Sequence, residues 1–332
     1  MALPLALTMG ELAGIGGEIA LKAWLRRDEG VPPFYLIDDP DRLTRLARSL
    51  GWDVKIQEID KRERAVPLFA DALPVAPLGA EPVATPGKPD PADARLVIGA
   101  IDTAVADVRA GRAAALVTNP INKDALYRAG FHHPGHTEYL AELAGSAQPA
   151  VMMLACPELR VVPVTIHLPL REAVETLSTA AIVHAGRVVD AALRRDFAIS
   201  APVIAVAGLN PHAGESGGLG REDIDIVAPA VAALRAAGID ARGPLAADTM
   251  FHPAARRGYD AALCMYHDQA LIPIKTIDFD GGVNVTLGLP FIRTSPDHGT
   301  GFDIAGKGVA RPDSLIAALR LAAEMAARRA KH

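Results

Sequence analysis

The sequence predicts an α/β protein built in three layers, with helices on both faces of a largely parallel sheet, and two lobes with a cleft. Short apolar runs such as FYLID (34–38) and DAALCMY (260–266) lack alternating polar residues, which is typical of strands buried on both faces. Amphipathic helical patterns alternate with these runs, as crossover helices alternate with parallel strands. The chain has 332 residues, which is long enough for two lobes.

The individual elements follow from local patterns taken in order. Strands are predicted where apolar residues run together, at 3–8, 34–38, 113–118, 150–155, 161–166, 202–208 and 260–266. Helices are predicted where apolar residues recur at helical spacing, at 18–27, 40–50, 91–110, 122–130, 137–145, 178–195, 222–237 and 312–330. Six prolines within 74–91 indicate a surface connection. Residues 267–310 are weakly periodic and rich in Gly, Asp and Thr, so we expect a long irregular segment with a functional role.

Charge and cysteine content exclude several classes of protein. The net charge of −5 provides no basic field for nucleic acid. The start, MALPLALTMGE, lacks the cationic residues of a signal peptide, and no apolar run reaches membrane-spanning length. We therefore expect a cytoplasmic protein without a membrane partner. Two cysteines far apart, Cys156 and Cys264, form no disulfide framework or zinc motif.

Three predicted strands are followed directly by a histidine. His167, His212 and His267 come after the strands at 161–166, 202–208 and 260–266. Because ligands bind beyond the carboxyl ends of the strands in open α/β sheets, the three rings could converge on one sheet edge. Three imidazoles with an open position are typical of a catalytic metal site, whereas general acid–base roles are equally compatible with the pattern. Carboxylates that could support the histidines lie at Asp248 and Asp268.

Polar residues elsewhere suggest a binding site for an anion. The stretch FHHPGHTEYLAELAG (131–145) has the features of a helix start, where free amides favour anions. Charged residues between apolar neighbours should be paired with a carboxylate of the protein or with an anionic ligand. The candidate anion-binding residues are His136, Thr137, Lys275, Asn284 and Arg293. A capped helix and ordinary salt bridges are the structural alternatives.

Two glycine-rich segments could contact a nucleotide. The turn TMGELAGIGGE (8–18) does not have the G-x-G-x-x-G dinucleotide pattern and is a weak signal. By contrast, HGTGFDIAGKG (298–308) resembles the adenosine-binding loop of the isopropylmalate and isocitrate dehydrogenases. That resemblance implies NAD as the cofactor, with Asp303 accepting from the ribose hydroxyls and disfavouring NADP without excluding it. The cofactor-binding residues that it implies are Gly299, Thr300, Asp303 and Ile304.

Further motifs extend the resemblance to almost the whole chain. The segments GELAGIGGE, TNPINK, PGHTEYLAE, IHLPL, LNPHAGE, ADTMFHPAARRGYDAALCMYHDQALIPIKT and GGVNVTLGLPFIRTSPDHGT together resemble the 4-hydroxythreonine-4-phosphate dehydrogenase family of vitamin B6 synthesis. The resemblance covers residue 3 to about residue 325 and implies an isocitrate/isopropylmalate dehydrogenase-like fold. It also implies NAD-dependent oxidation of 4-phosphohydroxy-L-threonine to a β-keto acid, which decarboxylates to 3-amino-2-oxopropyl phosphate.

The family resemblance assigns roles to particular residues. It implies that His167, His212 and His267 bind one divalent ion per site, zinc, magnesium or cobalt, at the interface of a homodimer. The five anion candidates would contact the phosphorylated substrate. Lys275, or a water relayed by Asp248 or Asp268, would accept the hydroxyl proton. By analogy with the fold, residues 1–130 and 295–332 would form one lobe, and 131–294 the other, with the metal and the dimer interface.

Other functions are compatible with parts of this pattern. Relatives that oxidise D-erythronate 4-phosphate or D-threonate 4-phosphate would use the same histidines and cofactor loop. A dihydrodiol dehydrogenase would not need the anion-binding residues. A phosphate acyltransferase of related fold would need neither metal nor nicotinamide, and a non-catalytic binding protein would leave the ionisable residues at the strand ends unexplained.

Overall fold

The structure divides the chain into two compact units. This computed structural model describes residues 3–128, 131–132, 136–146 and 148–331, and only the backbone of residue 137. The first unit contains residues up to 150 together with 289–327, and the second contains 151–288 with the residues from 328 onward. These boundaries differ from the lobes expected from the sequence, because residues 136–144 and Arg293 fall in the first unit.

Strands and helices alternate along the described part of the chain. The strands are β1 (Leu5–Thr8), β2 (Phe34–Ile37), β3 (Ile56–Glu58), β4 (Leu73–Ala76), β5 (Leu116–Thr118), β6 (Val151–Cys156), β7 (Leu159–Pro163), β8 (Val203–Ala207), β9 (Asp240–Leu245), β10 (Ala261–Cys264), β11 (Val283–Leu287) and β12 (Arg293–Pro296). The helices are α1 (Gly16–Leu25), α2 (Pro40–Ser49), α3 (Ala65–Leu68), α4 (Ala94–Arg109), α5 (Lys123–Arg128), α6 (His136–Ala144), α7 (Leu170–Thr176), α8 (Thr179–Arg195), α9 (Ala228–Ala236), α10 (Pro253–Arg256), α11 (His267–Ile277) and α12 (Asp313–Arg329). The predicted α/β class is confirmed.

In the first unit the strands pair in the order β3-β4-β2-β1-β5-β12, and every pairing among them is parallel. Strands β1, β2, β4, β5 and β12 are buried along their whole length, as expected for strands covered on both faces. Helix α4 packs on β1 through small residues such as Ala100 and Ala104. Helix α6 packs on α4, where the Tyr139 hydroxyl donates to Asp102.

In the second unit the strands pair in the order β11-β6-β7-β10-β8-β9. Strands β7, β10, β8 and β9 are parallel, whereas β6 pairs antiparallel with both β7 and β11. Only Pro157 and Glu158 separate β6 from β7, and so short a loop joins antiparallel strands. A parallel block of four strands therefore presents its carboxyl ends along one edge.

The prediction of an irregular segment over 267–310 was wrong. Helix α11 and strands β11 and β12 lie within it. Pro273 inside α11 and the glycines that flank the two short strands conceal these elements from pattern analysis. Strand β9, with Gly243 and Pro244 in its interior, was missed for the same reason.

No helix in the part of the chain that the structure describes is long and apolar enough to cross a membrane.

Candidate active site

Three neighbouring parallel strands direct histidines to the same edge of the second unit. Strand β10 lies between β7 and β8, and the three strands end at Pro163, Cys264 and Ala207. His167 follows β7, His267 begins α11 immediately beyond β10, and His212 follows β8. The structure therefore places all three candidate ligands at the carboxyl ends of adjacent strands.

His167 and His267 are close neighbours on this edge. Their ring centroids are 5.5 Å apart. Both residues line a cavity of about 300 Å³, together with Thr165, Leu168, Leu170, Ala173, Tyr266 and Asp268. The Nδ1 atom of His267 lies 2.7 Å from Oδ1 of Asp268. Such a contact orients the ring and leaves Nε2 for a ligand, as in histidines that bind metals.

His212 lies in a segment of left-handed backbone. Residues 212–216 all have φ values between 44° and 78°. For residues other than glycine, this conformation costs about 1–2 kcal/mol each. His167 has a φ of 52° as well. Backbone strain of this kind is concentrated at functional sites, where the surrounding structure maintains it.

A buried carboxylate holds the beginning of the His212 loop. Asp223 accepts hydrogen bonds from the backbone amides of Leu209 at 2.7 Å and Asn210 at 3.0 Å. It is 1% exposed and opens a π-helical turn that continues into α9. Because hydrogen bonds from two backbone amides to one carboxylate fix the path of the chain, Asp223 determines where the His212 loop begins.

The donor set fits a divalent ion in its chemistry, although the structure does not gather all three rings. Imidazole nitrogens favour zinc and cobalt, whereas magnesium prefers oxygen ligands. Among the described residues, no three His, Cys, Asp or Glu side chains lie close enough to hold a metal ion. Two of the three predicted ligands, His167 and His267, are therefore close together. The metal triad as a whole stays a prediction.

The candidate bases occupy different positions in the second unit. Asp268 is exposed and engaged with His267, and Asp248 is exposed in a short helical turn after β9. Lys275 lies in the last turn of α11, with Nζ 5.4 Å from the centre of the Phe279 ring. Lys275 lies eight positions along the helix from His267, which is about 12 Å along the axis. Lys275 is therefore better placed for a distant anion than for an atom beside His267.

Two positive charges act on a partly buried histidine in the first unit. Burial lowers the pKa of His136 well below its ordinary value, and the charges of Arg293 and Lys123 lower it further. Its Nε2 atom is buried and has no hydrogen-bond partner among the described residues. Arg293 is 4% exposed, and burial lowers its pKa to about 10. Its Nε and one terminal nitrogen donate to the Thr118 hydroxyl at 3.1 Å and 2.6 Å. Two cations beside a neutral imidazole form a cluster suited to an anion.

The depressed pKa of His136 predicts that the protein loses stability as the solution becomes acidic. Below pH 6.5, the ordinary value, the unfolded chain binds a proton at His136 that the folded chain excludes. The free energy of unfolding should therefore fall with decreasing pH, by at most about 1.4 kcal/mol per unit from this residue. Urea unfolding at about pH 7.5 and about pH 5.5 measures the effect. His136→Gln should reduce the pH dependence, and an unchanged dependence would contradict the prediction.

The remaining predicted substrate-binding residues are not all assigned to the unit that contains His136 and Arg293. Lys275 and Asn284 belong to the second unit. Asn284 lies on β11, and its buried Oδ1 has no hydrogen-bond partner in the described residues. Residue 137 is part of α6, but the side chain of Thr137 lies outside the described residues.

The predicted cofactor loop packs against the glycine-rich turn of the first unit. The backbone oxygen of Thr300 accepts from the amide of Ile15 at 2.9 Å. A Cβ atom at Gly14 would lie 2.7 Å from the same oxygen, so only glycine permits this approach. Gly299 and Asp303 are exposed and Ile304 is partly exposed, which leaves the Asp303 carboxylate accessible to a ligand.

Two charged residues of α1 hold the rest of this loop. The Glu18 carboxylate, 1% exposed, accepts from the amides of Gly306 at 3.1 Å and Ala310 at 2.9 Å. One turn later, Lys22 Nζ donates to the backbone oxygens of Gly308 at 2.8 Å and Ala310 at 2.5 Å. The pair thus uses opposite charges to bind the amides and the carbonyls of one loop.

In the NAD-binding role that the loop resemblance implies, Glu18→Gln is expected to raise the KM for NAD about tenfold. Glutamine keeps the shape, but it offers only one acceptor to the two amides of the loop, a loss of about 1.4 kcal/mol. Steady-state kinetics at varied NAD concentration measures the change. The KM for the substrate that undergoes oxidation should stay within about twofold of the parent value. Glu29→Gln, at an exposed carboxylate just beyond α1, is the control. Equal changes in both KM values would contradict a role confined to the cofactor loop.

Sequence reasoning missed one charged residue beside His136 and the residues that hold loops through backbone contacts. Lys123 was visible only as the last residue of the TNPINK motif, and Asp223 had no signal at all. Glu18 and Lys22 carried one usable signal, since opposite charges four residues apart share a helix face. Their target, however, lies almost 300 residues later in the sequence.

Known proteins resemble this chain over almost its full length. Residues 31–322 match the family described as pyridoxal phosphate biosynthetic protein PdxA. The chain is 58% identical over 338 residues to 4-hydroxythreonine-4-phosphate dehydrogenase from Bradyrhizobium diazoefficiens, with 98% of each chain covered. It is 59% identical over 336 residues to the enzyme of the same name from Methylorubrum populi, covering 99% of this chain and 96% of the relative.

Solved structures extend the comparison. The crystal structure of 4-hydroxythreonine-4-phosphate dehydrogenase from Klebsiella pneumoniae superposes with a TM-score of 0.88 at 39% identity, covering 98% of this chain and 100% of its own. A terephthalate dihydrodiol dehydrogenase from Burkholderia xenovorans gives a TM-score of 0.65 at 29% identity, with 98% of each chain covered. A branched-chain phosphotransacylase from Enterococcus faecalis shares the fold alone, at 12% identity and a TM-score of 0.56, with 97% and 99% covered.

Proposed function

This chain belongs to the PdxA family of pyridoxal phosphate biosynthetic proteins, and we propose that it is a 4-hydroxythreonine-4-phosphate dehydrogenase. Its reaction is the NAD-dependent oxidation of 4-phosphohydroxy-L-threonine to a β-keto acid, which loses CO2 to give 3-amino-2-oxopropyl phosphate. The observation that carries this proposal is the pair of cations, Arg293 and Lys123, beside the neutral His136 imidazole, whose buried Nε2 has no hydrogen-bond partner among the described residues. A phosphorylated substrate requires such an anion-binding site.

The residues of the second unit support metal-assisted oxidation of an alcohol. A bound divalent ion would supply Lewis acidity at the substrate's alcohol oxygen, and NAD would supply the hydride acceptor. His167, His212 and His267 would hold the ion, and their imidazoles favour zinc or cobalt over magnesium. Asp268 keeps the His267 ring in one orientation through its 2.7 Å contact with Nδ1. The candidate bases for the hydroxyl proton are Asp248, whose helical turn packs against the His212 segment, Asp268, which is engaged with His267, and Lys275, which lies two helical turns from His267.

The substrate's anions and the cofactor have separate candidate residues. His136 is neutral near pH 7 and can donate one hydrogen bond, while Arg293 and Lys123 supply charge. Lys275, Asn284 and Thr137 keep the substrate-binding role that the family resemblance implies. Gly299, Thr300, Asp303 and Ile304 would bind NAD, and the exposed Asp303 carboxylate would repel the additional phosphate of NADP.

A homodimer that covers the histidine edge is part of the proposal. Large apolar side chains are exposed around this edge, with Leu170 at 61% and Ile272 at 64%. Leu170 lines the cavity of His167 and His267, and Ile272 projects from the helix that His267 begins. Exposed apolar groups beside a functional site are typical of a protein interface.

Ile272→Glu is expected to convert the dimer to a monomer. A buried glutamate at each copy of the contact would cost several kcal/mol without a partner. Analytical ultracentrifugation should give twice the chain mass of 34.8 kDa for the parent and the single mass for the variant. Val83→Glu, an equally exposed position of the first unit, is the control. A variant that remains dimeric would remove α11 from the proposed interface.

The proposed function is tested by following NADH formation in chelator-treated protein, with and without Zn²⁺ or Co²⁺. The substrates are 4-phosphohydroxy-L-threonine, D-erythronate 4-phosphate and D-threonate 4-phosphate. Metal-dependent oxidation of the amino acid phosphate alone is the expected result. Oxidation of only a sugar-acid phosphate would keep the chemistry and change the substrate. Absence of NADH with all three would overturn the proposal.

A further inference from the structure

The side chain of Gln269 bridges two neighbouring strand ends of the second unit. Its Oε1 accepts from the backbone amide of Met265 at 2.7 Å, just beyond β10. Its Nε2 donates to the backbone oxygen of Gly208 at 2.7 Å, just beyond β8. A backbone amide only donates and a carbonyl only accepts, so the two partners fix the orientation of the glutamine amide.

This bridge lies where the sheet itself stops joining the two strands. The register of β10 with β8 ends with the pair Leu263 and Val206. Past that pair, Met265 and Gly208 are both buried, and Gln269 supplies the partner that a neighbouring strand would otherwise provide. Gln269 is 9% exposed, so water does not readily replace it.

The histidine-bearing segments begin immediately after the bridged residues. His267 is two residues beyond Met265, and His212 is four residues beyond Gly208. Successive residues of a helix are rotated by about 100°, so the first turn of α11 directs His267 outward and Gln269 inward. One short segment thus carries both a candidate ligand and the group that fixes its distance from the next strand.

A further link continues from Met265 to the strand that carries His167. The Met265 backbone oxygen accepts from the Thr165 hydroxyl at 2.8 Å and from the Thr165 amide at 3.3 Å. Thr165 lies two residues before His167. Through Met265, the hydroxyl of Thr165 and the amide of Gln269 therefore connect all three strand ends.

We propose that Gln269 is a positioning residue for the metal site, because it sets the spacing between the strand ends that carry His267 and His212. This inference rests on the proposed function, in which the three histidines hold a divalent ion. Gln269 touches neither substrate nor ion in this role. It acts through backbone groups, as residues that support metal ligands do in general.

The test compares Zn²⁺ affinity in Gln269→Met and Asp260→Ala, measured by competition with a chromophoric chelator. Methionine fills the same space without either hydrogen bond. Asp260 accepts from the Val203 amide at 2.8 Å, and so joins the same two strands at their opposite ends. Gln269→Met should weaken Zn²⁺ binding roughly 10- to 100-fold. Asp260→Ala should leave the Zn²⁺ affinity within about threefold of the parent. This should hold even if Asp260→Ala lowers the urea midpoint of unfolding as much as Gln269→Met does.

A second variant keeps the inference testable if Gln269→Met does not fold. Thr165→Val removes one hydroxyl bond to Met265 and should weaken Zn²⁺ binding about threefold to tenfold, less than the loss of both glutamine bonds. Parental affinity in both Gln269→Met and Thr165→Val would overturn the positioning role, as would equal weakening in Asp260→Ala. Failure of the parent itself to bind Zn²⁺ would instead overturn the metal site of the proposed function.

Discussion

His267→Ala is expected to lower kcat/KM for 4-phosphohydroxy-L-threonine by about a thousandfold. In the proposed function this ring is a metal ligand oriented by Asp268, and it lies 5.5 Å from the His167 ring. Lewis acidity at a developing alkoxide is worth several kcal/mol, and about 4 kcal/mol corresponds to roughly a thousandfold in rate. Steady-state NADH formation with saturating Zn²⁺ measures the loss, and metal analysis of the dialysed protein should show less bound zinc.

The control for this variant is a histidine away from the strand ends. His184→Gln changes a residue of α8 in the same unit and should keep kcat/KM within about twofold of the parent. Full activity of His267→Ala, with its zinc content reduced, would show that the metal is not needed for oxidation. Full zinc content with reduced activity would instead assign the ring an acid–base role.

Arg293→Met is expected to raise the KM for the phosphorylated substrate about a hundredfold. Arg293 is buried, is held by Thr118 and lowers the pKa of His136 through its charge, so it can offer charge-assisted hydrogen bonds to an anion. Losing them should cost about 3 kcal/mol, or roughly a hundredfold in affinity. Initial rates over a range of substrate concentration measure the effect, and the KM for NAD should be nearly unchanged.

Thr118→Val is the matched variant for Arg293. It leaves the guanidinium charge in place and removes the hydroxyl that accepts from Nε and a terminal nitrogen. We expect a KM increase of about tenfold, smaller than that of Arg293→Met, because the charge remains but is less well oriented. Arg293→Met with a parental KM would exclude this cluster as the phosphate or carboxylate site.

The strand ends were the part of the site most accessible to sequence reasoning. AALC before His267 and VIAVA before His212 are uninterrupted apolar runs, so their burial, and the polar residues that follow, could be predicted. That β7, β10 and β8 are neighbours could not be derived, since the strand order depends on long-range pairing. The roles of His136 and Arg293 came from family resemblance, and the sequence alone left a capped helix and a salt bridge as alternatives.

Residues that support the site were missed for a physical reason. Gln269, Asp223 and Glu18 each bind backbone amides or carbonyls, which every residue possesses, so their partners leave no pattern in the sequence. Helix α11 was missed because its Pro273 is normally a sign that a helix ends, although this proline lies within its length. Local propensity was overridden there by packing of the buried Ala270 and Ile274.

The division of the chain has a consequence for the order in which the protein is made. Apart from its last few residues, the second unit is continuous in sequence, whereas the first unit is interrupted by it and needs 289–327 to be complete. On the ribosome, where domains generally fold as units while the chain grows, the histidine-bearing strands emerge before β12 does. Arg293 arrives only with that late strand. The edge that we propose for zinc binding therefore emerges ahead of the cation that we propose for anion binding.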